Sequence, residues 1–453
     1  MNGHNQNQDL FGERQNNGER DSFAFVSKRD SSKYVTLTLT RSLAIHIPLP
    51  LANTVLSILE VLTRVGLTTS LVVYTTSLSK HRACGTAQVI TGSNFVLFFT
   101  SFWFTIVYFL CVLVGKLFNP SFPLRLGCSQ KQVALMGLLN AVNGLLIVYS
   151  SPTYRTPAFL QSILSSSVIP FTVVLRHLVL RKSVSGSRLV CAVAVLVGLI
   201  ICMEPSLFGL GNSSGSSKSR TATNLYWPIV FCAGFIPLAL MNVLGERQVK
   251  RNNKNPAQTI ENLNEEVYSV VFLAWLHLYN FVFLVALFWT TFIPHFGIDN
   301  SWADFSNHMV SGYHCHFGQG PLYNCSTLTE GRFLDRGADP YCHIPITRCW
   351  IFIFFYCFGN LVSIMLIKYA EGALYLVIIK AASTPLSTLV NTLFTLDKES
   401  ADFLWRPSVD VNIYYRLAGT ALIIPAVVAY VYISRRENKQ SREETVTSNS
   451  FLH

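Results

Sequence analysis

Apolar residues run along this chain in stretches of about 20, each interrupted by a few polar positions and separated from the next by polar, mostly basic connections. Ten such runs stand out, at 52–78, 94–117, 132–150, 157–179, 188–206, 224–245, 267–293, 348–369, 372–396 and 413–433. At helical rise, about 20 residues cross the hydrocarbon core of a bilayer. The pattern therefore predicts an all-α membrane protein with ten transmembrane helices.

The polar positions inside the runs form stripes. In the first run Asn53, Ser57, Glu60, Arg64 and Thr68 recur at helical spacing, and in the ninth Lys380, Ser383, Thr384, Ser387 and Asn391 do the same. In the fourth, Gln161, Ser165 and Thr172 share a side, with Ser162 and Ser166 beside it. Small and hydroxyl residues also let membrane helices pack closely, so the serines alone are equally consistent with packing. The charges favour a lined pathway, because ionisable residues inside a span mostly face a bundle interior or water. Lys380 could instead snorkel to the interface. Glu60 and Arg64, one turn apart, could neutralise each other.

The two halves of the chain repeat each other. "QSILSSSVIPFTVVL" places serines beside Pro170 in the fourth run, and "IIKAASTPLSTLVNTLF" places small and hydroxyl residues beside Pro385 in the ninth. Asn143 with Gly144 precedes Pro170 as Gly359 with Asn360 precedes Pro385, at spacings of 27 and 25 residues. Five spans per half is an odd number, so the halves must be inverted, as in many secondary transporters whose sites lie where interrupted helices meet. The expected organisation is a first five-helix repeat at 46–206, a connecting loop at 207–223, and a second repeat at 224–433. That second repeat carries a long loop, 294–347. The arm 1–45 and the tail 434–453 are too polar to bury a core and are expected to be disordered. No short apolar run follows a basic start in the arm, so no cleavable signal peptide is expected.

Charge then sets the orientation. Lys and Arg concentrate in the arm, in the second-to-third, fourth-to-fifth and sixth-to-seventh connections, and in the tail. These all fall on one face, which the positive-inside rule makes cytosolic, with both termini there. The net charge of +11 is on this reading a topology signal and not a nucleic-acid surface. The long loop on the opposite, lumenal face holds Cys315, Cys325 and Cys342 and has Cys349 at its edge, and these four allow three disulfide connectivities. His314, His316 and His343 offer a metal site as the competing reading, but their spacing is not that of a zinc module, and no metal or other cofactor is expected. Asn212 and Asn324 begin Asn-x-Ser sequons on the same face. A membrane-embedded enzyme is disfavoured, since neither a His-Glu-x-x-His helix nor a nucleophile elbow occurs. A channel would share most of the features of a carrier.

The segment "YRTPAFLQSILSSSVIPFTVVLRHLVLRK" resembles the chloroquine-resistance transporter-like family of the drug/metabolite transporter superfamily, with Arg155, Thr156, Gln161, Ser162, Ile169 and Pro170 at the family's spacing. "GLIICMEP", the Asn360-Leu361 pair and the four-cysteine loop continue the likeness. The resemblance implies ten spans in two inverted repeats, a vacuolar or endolysosomal membrane, and export of small nutrients such as cationic amino acids, peptides or related solutes towards the cytosol; if the lumen is acidic, protons are the expected coupling ion. It also implies nested disulfides, Cys315–Cys349 outside and Cys325–Cys342 inside. Plant relatives imply the alternative of a thiol or glutathione carrier. Gly359 stands where the family's best-known member has an acidic residue, and Lys380 adds a cation. Both make a cavity less negative and argue against a cationic substrate. The residues expected to line the pathway are Glu60, Arg64, Asn143, Gln161, Ser162, Ser165, Ser166, Pro170, Asn360, Lys380, Ser383, Thr384, Pro385 and Ser387.

Overall fold

A computed structural model describes residues 34–40, 43–78, 81–83, 87–89, 93–118, 120, 122, 124, 126, 128–151, 155, 156, 164, 165, 167–181, 184–208, 226–251, 269–294, 296, 297, 299–317, 345–370, 372–396, 403–405 and 411–450. Each apolar run is mostly helix where it is described, apart from the end of the ninth, where Phe394–Leu396 is a strand. Runs one to seven are α1 (Leu49–Leu78), α2 (Ser93–Phe118), α3 (Gln130–Ser150), α4 (Val168–Leu180), α5 (Gly186–Phe208), α6 (Tyr226–Arg251) and α7 (Ser269–Ala286). After them come α8 (Trp302–His316) in the long connection, α9 (Pro345–Tyr369) at the eighth run, α10 (Ala373–Ala381) and α11 (Ser383–Leu393) at the ninth, and α12 (Val411–Ser450) at the tenth. Among the described residues seven helices are long and apolar enough to cross a membrane, and three shorter apolar ones stand at the fourth, fifth and ninth runs. The described residues are thus mostly helical, in keeping with a multi-pass membrane protein.

Three elements depart from the expectations. Residues 34–40 and 43–45 of the polar arm belong to an antiparallel hairpin, β1 (Tyr34–Thr40) with β2 (Leu43–Pro48), because Thr alternates there with Val and Leu at strand period. The tail does not leave the tenth run at 433; α12 continues to Ser450. Its Arg, Glu, Lys and Gln residues are good helix formers, and Glu437 ties the extension down through Arg188 at 2.7 Å and the Ser185 hydroxyl at 2.6 Å. The long loop contains α8, whose start is capped where the Ser301 hydroxyl accepts from the Asp304 N–H at 3.1 Å.

Side-chain pairs fix which helices run the same way. Asn140 meets Asn280 and Tyr149 meets Thr290, so α3 and α7 advance together. Asn94 meets Thr291 while Thr105, later on α2, meets His277, earlier on α7, so these two are antiparallel. Ser57 meets Tyr375 and Thr68 meets Ser387, so α1 runs parallel to the ninth run.

The packing pairs the first run with the eighth and ninth, the third with the sixth and seventh, and the fourth with the sixth and ninth. It also pairs the second with the seventh and eighth and the fifth with the tenth. The last pair approaches closely at Gly198, where a Cβ would meet Ile423 Cγ1 at 2.6 Å and the Gly419 carbonyl at 3.1 Å. On α1, Leu51, Val55, Ile58 and Leu62 are exposed along one face. They lie two residues, or about 200°, away from the polar stripe. One side of this helix therefore meets lipid and the other meets protein.

The two proline-bearing runs restart alike. Pro170 and Pro385 are each the third residue of a helix, α4 and α11, where a missing N–H leaves no intrahelical bond unmade. Ser167 and Ala382 precede these helices with nearly equal dihedrals, φ −61 ψ −17 and φ −64 ψ −19. At each break a serine hydroxyl donates to the carbonyl three residues back, Ser167 to Leu164 and Ser383 to Lys380, both at 2.6 Å. These hydroxyls take up carbonyls at the interruption, which lipid could not do.

Candidate functional site

The stripes of the first and ninth runs face each other and form a seam. Asn53 Nδ2 donates to the Tyr369 carbonyl at 3.3 Å, the Ser57 and Tyr375 hydroxyls lie 3.0 Å apart, and Thr68 and Ser387 hydroxyls close the far end at 3.2 Å. Between them Glu60 is buried at 2% exposure. The Ser363 hydroxyl of α9 is 2.9 Å from both of its carboxylate oxygens, and Lys380 Nζ of α10 is 3.7 Å from Oε1. Glu60 therefore pairs across the bundle with Lys380, not along α1 with Arg64. Lys380 turns to this partner and does not reach for an interface. At 3.7 Å the ion pair lies beyond hydrogen-bond distance, so the ammonium keeps its donors largely uncommitted.

Beside the seam, Tyr356 of α9 is flanked by Asn140 and by Asn360, one turn further along α9. Arg64 is close enough to both Tyr356 and Lys380 to act on them electrostatically. Two facing helices thus present a carboxylate, an ammonium and a guanidinium, with hydroxyl and amide groups around them, at mid-depth of the apolar spans. Such a set can bind the charged ends of a small polar solute.

The other expected residues are divided. Asn143 lies apart from the seam and ties α3 to α6 by donating to the Gly234 carbonyl at 2.8 Å. Ser165 is half-buried before the α4 break, Pro170 is exposed, and Pro385 and Thr384 sit in the first turn of α11 beside the seam. Gln161, Ser162, Ser166, Asn212, Asn324, Cys325 and Cys342 lie outside the described residues. The pairing of Cys315 with Cys349 is not formed. Cys315 is disulfide-bonded, yet Cys349, buried at the start of α9, is a free thiol beside Tyr74. The α9 helix carries Cys349 inward against α1, a placement that cysteine spacing in the sequence cannot reveal. Among the described residues no group of three or more His, Cys, Asp or Glu could hold a metal ion.

Two charged constellations went unread in the sequence. The first is a buried ion pair between α4 and α6, Arg176 Nη2 to Glu246 Oε1 at 3.2 Å, with side chains 7% and 1% exposed. Glu246 Oε2 also accepts from the Ala373 N–H at 2.9 Å, so one carboxylate joins the fourth, sixth and ninth runs. Gly372 makes room for it, with φ +104 and an ideal Cβ position only 2.2 Å from the carboxyl carbon. Glu246 lies one residue beyond the sixth apolar run, where it read as connection; the helix runs on to Arg251 and takes it inside.

The second lies outside the spans. Asp299, buried before α8, accepts from His308 Nδ1 at 2.5 Å, Thr291 at 2.5 Å and Asn94 at 2.9 Å. Burial alone would raise its pKa, but the hydrogen bonds outweigh burial and hold the carboxyl below its ordinary value. The same hydrogen bond raises His308. His316, at the end of α8, is held down to about 4 by burial. Arg155, by contrast, is an anchor: it donates to the carbonyls of Tyr149, Phe296 and Gly297 and stacks 3.9 Å above the Trp227 ring.

Crt homolog 3 of Dictyostelium discoideum is 26% identical over 279 residues, 59% of this chain and 52% of that protein. Crt homologs 1 and 2 of the same organism are 32% and 33% identical over 113 and 114 residues, each match covering 25% of this chain and 22% of the relative. The chain thus matches about half, or less, of the length of these curated relatives. The family model for CRT-like, chloroquine-resistance transporter-like proteins matches residues 84–422, and the chain belongs to that family.

Proposed function

We propose that the chain is a secondary active transporter that moves amino acids, peptides or related small solutes across a vacuolar or endolysosomal membrane towards the cytosol, coupled to protons. Family membership carries the coarser part: a membrane transporter with a small-molecule substrate, embedded in a bilayer, and not an enzyme. The proposed architecture is two inverted five-helix repeats, 46–206 and 224–433. Its support is that the packing survives exchange of the halves. Shifting each run by five turns the first-with-eighth contact into sixth-with-third, first-with-ninth into sixth-with-fourth, and third-with-seventh into eighth-with-second, and all six contacts occur. The parallel and antiparallel pairs agree with ten alternating spans.

The observation that carries the transport pathway is the Glu60–Lys380 pair, a buried carboxylate and a half-buried ammonium at mid-depth between a helix of the first repeat and the interrupted helix of the second. Ion pairs at such a depth commonly mark a substrate or ion route, and inverted-repeat transporters bind beside interrupted helices where their repeats meet. The basic connections support cytosolic termini and a lumenal 294–347 loop. Protein reconstituted in liposomes with an imposed proton gradient tests this reading, using amino acids, short peptides and glutathione. Saturable uptake, accelerated by solute on the far side, is expected. Flux that neither saturates nor shows countertransport would make the protein a channel, and uptake of glutathione alone would make it a thiol carrier.

A further inference from the structure

Arg64 stands near the middle of the membrane-crossing part of α1, Leu49–Thr75. Its neighbour Glu60 is already engaged by Ser363 and Lys380. Other arginines of the bundle have described partners: Arg176 has Glu246, Arg188 has Glu437, and Arg155 has three carbonyls. The Arg64 guanidinium makes no hydrogen bond or ion pair with any described residue. Among the described residues, Glu60, Lys380 and Arg64 therefore leave one positive charge uncompensated at mid-depth. A cation there is costly, and from the centre of a span it cannot snorkel to either interface.

We infer that Arg64 and Lys380 form a carboxylate-binding site of the transport pathway, taking small solutes that carry a free carboxylate. The guanidinium fork matches a carboxylate in two parallel hydrogen bonds. Lys380, held at 3.7 Å from Glu60, has donors left to join it. Glu60 then keeps Lys380 aimed into the seam, and Ser363 keeps Glu60 in place. A phospholipid headgroup offers similar chemistry, but it would have to descend half the length of α1 to reach Arg64. The proposal rests on the transporter reading of the same seam and adds the charge class of its substrate.

The test is binding, not flux, so that it stands or falls apart from transport. The full-length protein in phosphatidylcholine nanodiscs is titrated with acetate, glycine, glycylglycine and glutathione, and with the amides of the first three. Thermal stability and calorimetry are the readouts. At least one carboxylate should stabilise the protein, with its amide binding roughly tenfold or more weakly, as loss of a charge-assisted contact requires. Arg64→Gln should abolish the discrimination, and Arg64→Lys should restore part of it. Arg64→Met should unfold at a higher temperature than the unliganded parent and respond to no carboxylate, because it removes an uncompensated cation. Equal binding of every acid and amide pair overturns the proposal. So does discrimination that survives in Arg64→Gln, or a destabilised Arg64→Met. Discrimination without uptake in liposomes would keep the site and overturn the transporter reading instead.

Discussion

Glu246→Gln isolates the buried ion pair that joins the fourth, sixth and ninth runs. The substitution keeps an oxygen that can accept from the Ala373 N–H, now at 2.9 Å, and keeps the side chain's size. What it removes is the counter-charge of Arg176, whose side chain is only 7% exposed. An uncompensated charge left in a low-dielectric interior costs about 3–5 kcal/mol, whereas weakening one backbone hydrogen bond costs about 1 kcal/mol. Arg176→Met should cost a similar amount by stranding Glu246. The double variant, with both charges gone and the Ala373 contact kept, should recover most of the loss, giving a coupling of at least 2 kcal/mol. Unfolding of purified protein in one detergent, followed by heat and by denaturant, provides all three values. Single variants within about 1 kcal/mol of the parent, or a double variant equal to the sum of its parts, would refute a pair that matters through its charges.

Gly372→Ala should destabilise the protein by about 2 kcal/mol or more, measured in the same unfolding assay, because it combines a left-handed backbone with a Cβ on the Glu246 carboxylate. The Asp299–His308 pair predicts a pH effect with a definite sign. A raised His308 pKa contributes stability that is complete below about 6.5 and fades as pH rises through the folded value, and the lowered Asp299 pKa contributes above about 3.8. Protection of α8 in hydrogen exchange should therefore be greater at pH 5.5 than at pH 8, and His308→Ala should remove that difference. Mass spectrometry after alkylation under denaturing, non-reducing conditions should find Cys349 modified and Cys315 not, because only the former is a free thiol.

The helices were legible because each buries an apolar face long enough to count, and the two polar stripes were legible because Glu60, Ser57 and Thr68 on one run and Lys380 and Ser387 on another recur at helical spacing. What spacing could not give was the partner. Glu60 and Arg64 stand one turn apart and read as a pair, but Ser363 and Lys380 approach from two other helices and take Glu60 away from Arg64. Tyr375 and Ser363 join the seam from otherwise apolar sequence, with no local signal. Glu246 was hidden by a boundary, since hydropathy ends a span where apolar residues end while a helix ends where its hydrogen bonds do. Hairpin β1–β2 did carry its signal, the alternation of Thr with Val and Leu, but overall polarity masked it.

Selectivity of Lys380→Ala in liposomes tests the proposed pathway most directly. Lys380 faces Glu60 across the seam, so its loss leaves the carboxylate with Ser363 as its remaining hydrogen-bond partner among the described residues. Uptake of anionic, zwitterionic and cationic amino acids by the variant should shift towards the cations relative to the parent, with the protein still folded and monodisperse. Unchanged relative affinities across the three classes would remove Lys380, and with it the seam between the first and ninth runs, from the transport pathway.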